Sequence, residues 1–235
     1  MLIKKNNKKS QEYDITELRI KIDQINEKLI SGLKDRSRYS LNKNTFKEEF
    51  FSGLTWFEYR LKKEQDIDSE FGRFVYYDQQ PLIFSKKHLA RSKLKNLSVK
   101  GSKPVEIDLS KRIINLYKKT LTSLCENKEN VTSYGETTKL DVENILTINE
   151  RTVAIGQQVA AYKISTDLDL KKLKNAKEIR KRLIKPAREK EVIKKMVNLA
   201  KKYGIKNIKI IKSFSKELIK ITLDAEVYFI MHLKK

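Results

Sequence analysis

The scarcity of backbone-bending residues constrains the fold of this chain more than any other sequence feature. Only 7 glycines and 3 prolines occur among its 235 residues. A fold made of many short strands needs tight turns, and glycine and proline supply most of the backbone conformations that tight turns require. The sequence therefore predicts an all-α protein, and we expect one domain over residues 1–235 with a single core.

Apolar residues recur at helical spacing in several segments. The first stripe runs from Ile15 to Arg36, in steps of three or four, through Leu18, Ile22, Ile25, Leu29 and Leu33. This spacing places one apolar face on a helix. The other predicted helices are Phe46–Lys63, Lys111–Cys125, Val142–Lys163, a segment from Pro186 to Gly204, and Ile208–Met231. Residues 85–108 have no sustained period and read as a connection.

The charge and the cysteine content limit the classes of function. The formal net charge is +22, which makes nucleic acid an alternative partner. However, the densest basic cluster, from Lys177 to Lys195, contains three acids and no aromatic residues, so we favour a solvated surface over a nucleic-acid interface. Cys125 has no partner for a disulfide or a metal site, and no apolar run is long enough to span a membrane. We expect a cytoplasmic protein without a metal.

Four segments resemble, in order, the all-helical chorismate mutases of the eukaryote type. They are Leu18 to Leu29 followed by Asp35-Arg36-Ser37, then Tyr134-Gly135 to Lys163, then Ala187 to Gly204, and finally Ile221 to Val227. The resemblance implies a helical bundle in which residues from about 37 to 140 form a large helical insertion after the first helix. Residues 1–10 are expected to be a disordered tail.

This family rearranges chorismate to prephenate in a pericyclic reaction that uses no cofactor. The resemblance therefore implies an intramolecular isomerase of phenylalanine and tyrosine biosynthesis, with chorismate as its small-molecule substrate and a homodimer as its assembly. Two alternatives remain open: a catalytically weakened binding protein of the same fold, and a basic helical protein that binds nucleic acid. Chorismate turnover discriminates the first reading from both alternatives.

The resemblance also assigns roles to individual residues. Arg19 matches an arginine that binds a substrate carboxylate, and Lys163 matches the lysine that contacts the ether oxygen. Glu226 matches the glutamate that donates a hydrogen bond to the same oxygen, which requires a protonated carboxyl. Thr222, four residues earlier and therefore on the same helix face, matches a threonine that holds a carboxylate. Glu189 matches the glutamate that accepts from the ring hydroxyl.

The sequence departs from the family pattern at its second substrate arginine. The family places this arginine eleven residues before the catalytic lysine, whereas Arg151 stands twelve before Lys163 and Thr152 occupies the matching place. At about 100° per residue, Arg151 would lie off the site face unless a π-bulge near Gly156 restores the register. Arg36 or Arg188 could otherwise substitute for it.

Two further departures concern substrate contacts and regulation. Lys185 stands where the family has an asparagine or an aspartate, so it either adds a cation to the site or points to solvent. Where regulated relatives have a pair of arginines that binds aromatic amino acids, this chain has Gly72-Arg73. We therefore expect weak or no regulation by tyrosine or tryptophan.

Overall fold

The computed structural model describes residues 15–74, 79–83 and 105–233. The expected tail at residues 1–10 and most of the connection at 85–108, including His88, lie outside the described residues. The helices of the described part are α1 (Ile15–Arg36), α2 (Trp56–Glu70), α3 (Ser110–Leu124), α4 (Tyr134–Asn149), α5 (Ile155–Thr166), α6 (Ala176–Leu183), α7 (Pro186–Lys202) and α8 (Ile208–His232). The predicted all-α class is confirmed.

Most of the predicted helices are present within a residue or two of their predicted ends. Pro186 occupies the first turn of α7, where its missing N–H costs nothing. Gly204 follows α7 with a φ of 72°, a left-handed conformation that favours glycine. Helices α4 and α5 form the predicted long helix, but a five-residue π-helical turn, Glu150–Ala154, joins them.

The predicted helix at Phe46–Lys63 is wrong in its first half. A short hairpin, β1 (Glu49–Phe51) and β2 (Leu54–Thr55), occupies that region, and α2 begins only at Trp56. Gly53 adopts a φ of 75° in the hairpin turn, and Thr55 and Glu58 form a capping box at the start of α2. These turn and cap signals override the apolar spacing that predicted a helix.

Nearly all buried apolar side chains of α1 to α8 belong to one cluster. A buried ion pair between Arg36 and Asp141, 2.7 Å long, ties the end of α1 to α4. Arg36 also donates to the carbonyl oxygens of Ser40 and Leu41, and Tyr117 donates to Asp141. Because these bonds satisfy the guanidinium inside the core, Arg36 has a structural role.

None of the helices in the described part of the chain is long and apolar enough to cross a membrane.

Candidate functional site

A lysine and a glutamate from neighbouring helices form the centre of the candidate site. Lys163 of α5 donates to Oε2 of Glu226 of α8 at 2.6 Å, and its Nζ also lies 3.5 Å from the carbonyl oxygen of Leu183. Glu226 is 5% exposed, whereas Lys163 is partly open to solvent. The lysine can therefore reach both the buried carboxylate and a ligand that arrives from solvent.

A close approach between α5 and α8 allows this contact. A Cβ atom on Gly156 would lie 2.9 Å from the Cβ of Ala225 and 3.2 Å from the carbonyl oxygen of Thr222. Real Cβ contacts are rarely that short, so a side chain at position 156 would force the two helices apart. Glycine at this position thus sets the spacing at which Lys163 meets Glu226.

Arg151 lies in the π-helical turn between α4 and α5. Its side chain is 4% exposed, its Nε donates to Oδ1 of Asn26 at 3.0 Å, and its Nη1 donates to Oγ1 of Thr222 at 3.4 Å. A π turn contains one residue more than an α turn and thereby offsets the extra residue between Arg151 and Lys163. Both cations consequently contact residues of the same face of α8.

Thr222 and Glu226 share that face of α8, as their spacing predicts. Thr222 donates its hydroxyl to the carbonyl of Leu218 at 2.8 Å, and its oxygen accepts from Arg151. Both residues are buried, Thr222 at 6% exposure and Glu226 at 5%. The polar interruption of the apolar α8 stripe is therefore part of a cluster that also includes Arg151 and Lys163.

The charges of this cluster act on one another. Burial raises the pKa of Glu226, while the nearby cations Lys163 and Arg151 lower it and the charge of Glu189 raises it further. Burial lowers the pKa of Arg151 to about 10, opposed by the charges of Glu226 and Asp23. Glu226 is thus a buried carboxyl whose ionised form depends on two cations that an anionic ligand would also attract.

Contacts between α1 and α7 form one wall of the site. Asp23 pairs with Lys195 at 2.7 Å, and the hydroxyl of Tyr203 donates to Glu27 at 2.8 Å. From the first contact to the second, the residue numbers increase on both helices, so α1 and α7 run parallel. Arg19, one turn before Asp23, then lies level with the beginning of α7 and is exposed.

The beginning of α7 carries three predicted site residues. Glu189 is half-buried and close enough to affect the pKa of Glu226. Arg188 pairs with Glu191 at 2.6 Å, and its charge lowers the pKa of Arg151. Lys185 precedes the first turn of α7 and is exposed. The structure brings Glu189 and Arg188 toward the cluster and leaves Lys185 at the surface.

Two residues considered for the second arginine position do not join the cluster. Thr152 is fully buried and donates its hydroxyl to the carbonyl of Ile148, in the preceding turn of α4, at 2.7 Å. Arg36 is held by Asp141 in the core. The idea that Arg36 substitutes for Arg151 is therefore wrong, because its guanidinium has no access to the site.

Sequence reasoning gave no role to Asn26, which contacts Arg151, or to Asp23, whose charge acts on the same arginine. Asn26 follows Arg19 by seven residues, close to two helical turns, so both lie on one face of α1. This spacing is the signal that could have identified Asn26.

Among the described residues, no group of three or more His, Cys, Asp or Glu side chains could hold a metal ion.

Comparison with known proteins identifies the fold. A scan of protein-family models finds no match, and a search of curated proteins finds no relative. Among solved structures, the Aro7p chorismate mutase of Candida albicans in complex with L-Trp matches with a TM-score of 0.79 at 19% identity, covering 94% of this chain and 91% of that chain. The chloroplast chorismate mutase of Zea mays matches with a TM-score of 0.78 at 16% identity over 95% and 96% of the two chains.

AtCM1 with phenylalanine bound in its allosteric site matches with a TM-score of 0.77 at 19% identity, covering 95% of this chain and 97% of that chain. These matches extend over nearly the whole length of each chain. The chain therefore has the fold of the yeast and plant all-helical chorismate mutases, and the resemblance noted in the sequence is confirmed at the level of the fold.

Proposed function

We propose that this protein is a chorismate mutase, which rearranges chorismate to prephenate. The observation that carries the proposal is the contact of 2.6 Å between Lys163 and the buried Glu226, next to Arg151 and Thr222. These side chains combine cations with a carboxyl whose pKa is raised by burial. An anionic substrate that develops further negative charge on an ether oxygen needs this combination.

The reaction breaks one C–O bond and forms one C–C bond within the same molecule. The protein therefore has to hold a flexible dianion in its reactive conformation and stabilise charge on the departing ether oxygen. Arg19, Arg151 and Thr222 would bind the two carboxylates. Lys163 would contact the ether oxygen and one carboxylate, because it is the partly exposed cation of the cluster.

Glu226 would donate a hydrogen bond to the same ether oxygen. Without a ligand, the nearby cations favour its ionised form, whereas burial favours its protonated form. A dianionic substrate would pair with Lys163 and Arg151 and weaken their effect on Glu226. Binding would then raise the pKa of Glu226 further and favour the protonated carboxyl that can donate.

The residues at the beginning of α7 would contact the other end of the substrate. Glu189 would accept a hydrogen bond from the ring hydroxyl, and its half-buried position beside Glu226 agrees with that role. Arg188 would add positive potential near Arg151 while it pairs with Glu191. Lys185 would act only at the rim of the site.

We also propose a homodimer as the assembly.

The two alternative functions have less support. A weakened binding protein is suggested by the register of Arg151, and the contact of Arg151 with Thr222 supports the catalytic reading over it. A nucleic-acid-binding protein rests on the net charge of +22 alone. Salt-dependent retention on DNA without turnover of chorismate would favour it.

The experiment that tests the proposal follows the loss of chorismate absorbance with purified protein between acidic and neutral pH, with identification of the product by NMR. Stoichiometric conversion to prephenate, at a rate proportional to protein concentration, is the expected result. An absence of turnover over the whole pH range would contradict the proposed function and leave the fold unaffected.

A further inference from the structure

The side-chain amide of Asn26 makes a hydrogen bond through its oxygen but none through its nitrogen. Its Oδ1 accepts from Nε of Arg151 at 3.0 Å. Its Nδ2 is buried and has no hydrogen-bond partner among the described residues. A guanidinium only donates, so the atom that faces Arg151 must be the amide oxygen, and this fixes which end carries the free N–H groups.

An unsatisfied buried donor is unfavourable in a protein interior. Leaving such a group without a partner costs about 1–3 kcal/mol, and Asn26 as a whole is 1% exposed. Its side chain lies beside an arginine that also reaches Thr222, and on the α1 face that carries Arg19. The free donor therefore belongs to a side chain that contacts Arg151 directly and shares a helix face with Arg19, two residues that would bind the carboxylates of an anionic substrate.

The other unsatisfied buried groups lack this combination. Oδ1 of Asp23 is an acceptor and would repel an anion, and Gln157 has no hydrogen bond that links it to a site residue. Asp141 lies in the core beside Arg36. Of these groups, only Asn26 has both a free hydrogen-bond donor and a direct contact with an arginine of the site.

We propose that Asn26 is a further substrate-binding residue of the site. Its Oδ1 orients the guanidinium of Arg151, and its Nδ2 donates a hydrogen bond to a carboxylate oxygen of the dianionic substrate. This inference rests on the proposed function, because the ligand is the dicarboxylate that the reaction consumes. A group that only positions Arg151 would need the acceptor but not the donor.

The variant Asn26→Asp separates these two roles. The new carboxylate still accepts from Arg151, but it replaces the donor with a charged acceptor. We expect KM for chorismate to rise at least about tenfold at neutral pH, and inhibition by prephenate to weaken in parallel, because the donor to the carboxylate is lost and like charges face each other. The variant Asn26→Leu should also raise KM, because it removes both contacts.

The matched control is Asn144→Asp, at another buried asparagine, which donates to the carbonyl of Gly32 near the end of α1. It should lower thermal stability and leave KM unchanged. A folded Asn26→Asp with wild-type KM would overturn the inference while turnover by the wild type upholds the proposed function. Should Asn26→Asp not fold, an unchanged KM in Asn26→Leu would overturn it. A wild type without turnover would reject the function and this inference together.

Discussion

The protonation of one buried carboxyl links the structure to the proposed chemistry. Glu226 has a raised pKa because it is buried, and Lys163 and Arg151 oppose that shift through their charges. A carboxyl with a raised pKa holds its proton to a higher pH than usual and loses it as the pH rises through that value. Glu226 can therefore donate a hydrogen bond only while it is protonated, at a pH below its pKa.

We predict that activity falls with rising pH because Glu226 ionises. In Glu226→Gln the amide donates at every pH, so its rate should have no falling limb, although its activity at acidic pH should lie within about tenfold of the wild type. The measurement is kcat/KM against pH for both proteins. A falling limb of the same position in the variant would assign the ionisation to another group.

Sequence reasoning identified the residues that break a pattern. Thr222 and Glu226 were visible because they interrupt an apolar stripe on α8, and both are buried. Asn26 was missed although it shares a face of α1 with Arg19, because an asparagine on a helix face is more often exposed than buried. The position of Arg36 could not be predicted either, since its partner Asp141 lies 105 residues away in the chain.

At the scale of helices, the π turn and the α5–α8 contact determine the geometry of the site. The sequence indicated that Arg151 was one residue out of register with Lys163 and left open how the chain responds. A π turn is found at Glu150–Ala154. Propensity alone could not choose it, because the choice depends on burying Arg151 against Asn26 and Thr222.

Deleting Thr152 should convert the π turn to a regular α turn. Arg151 would then stand eleven residues before Lys163, about three helical turns, so the two cations keep a common face. We expect a folded protein with kcat/KM within about tenfold of the wild type.

The control is deletion of Glu143, an exposed residue on the other side of Arg151. It shortens the same long helix by one residue but leaves the spacing of Arg151 and Lys163 unchanged and rotates the earlier part of α4 relative to both. This variant should lose at least about a hundredfold in activity or fail to fold. A loss in the Thr152 deletion as large as that in the Glu143 deletion would contradict the idea that the π turn only compensates for the extra residue.

Gly156→Ala should separate α5 from α8. The new Cβ would meet Ala225 and the Thr222 carbonyl at 2.9 and 3.2 Å, so we expect a loss of about 1–3 kcal/mol in the free energy of unfolding. Activity should also fall, because Lys163 moves away from Glu226.

The control is Gly135→Ala, at a helical glycine with nothing within 4 Å of its new Cβ. This variant should instead stabilise the protein by about 0.5–1 kcal/mol. Thermal and denaturant unfolding of both variants test this prediction.

At the scale of the whole molecule, the basic residues behind the net charge of +22 are spread along the chain. The fold class was predictable because helical periodicity and the scarcity of glycine agree along the chain. The hairpin formed by residues 49–55 was not predictable. Its left-handed residues Ser52 and Gly53 lie among apolar residues that have helical spacing.

We predict that tyrosine and tryptophan regulate the protein weakly or not at all. Arg73 pairs with Glu150 at 3.1 Å, and its neighbour Gly72 has no side chain to bind an effector. The rate as a function of chorismate concentration should be unchanged within about twofold when either amino acid is added at millimolar concentration. A shift of the half-saturation point beyond that range would contradict the prediction.

The most direct test of the central claim compares chorismate turnover in Lys163→Ala and Lys220→Ala. Both lysines contact a glutamate at 2.6 Å, but the pair of Lys220 and Glu217 is exposed on the outside of α8. We predict that Lys163→Ala loses at least about a hundredfold in kcat/KM while keeping its fold, and that Lys220→Ala retains wild-type activity. Turnover by Lys163→Ala at the wild-type rate would contradict the assignment of the reaction to this cluster.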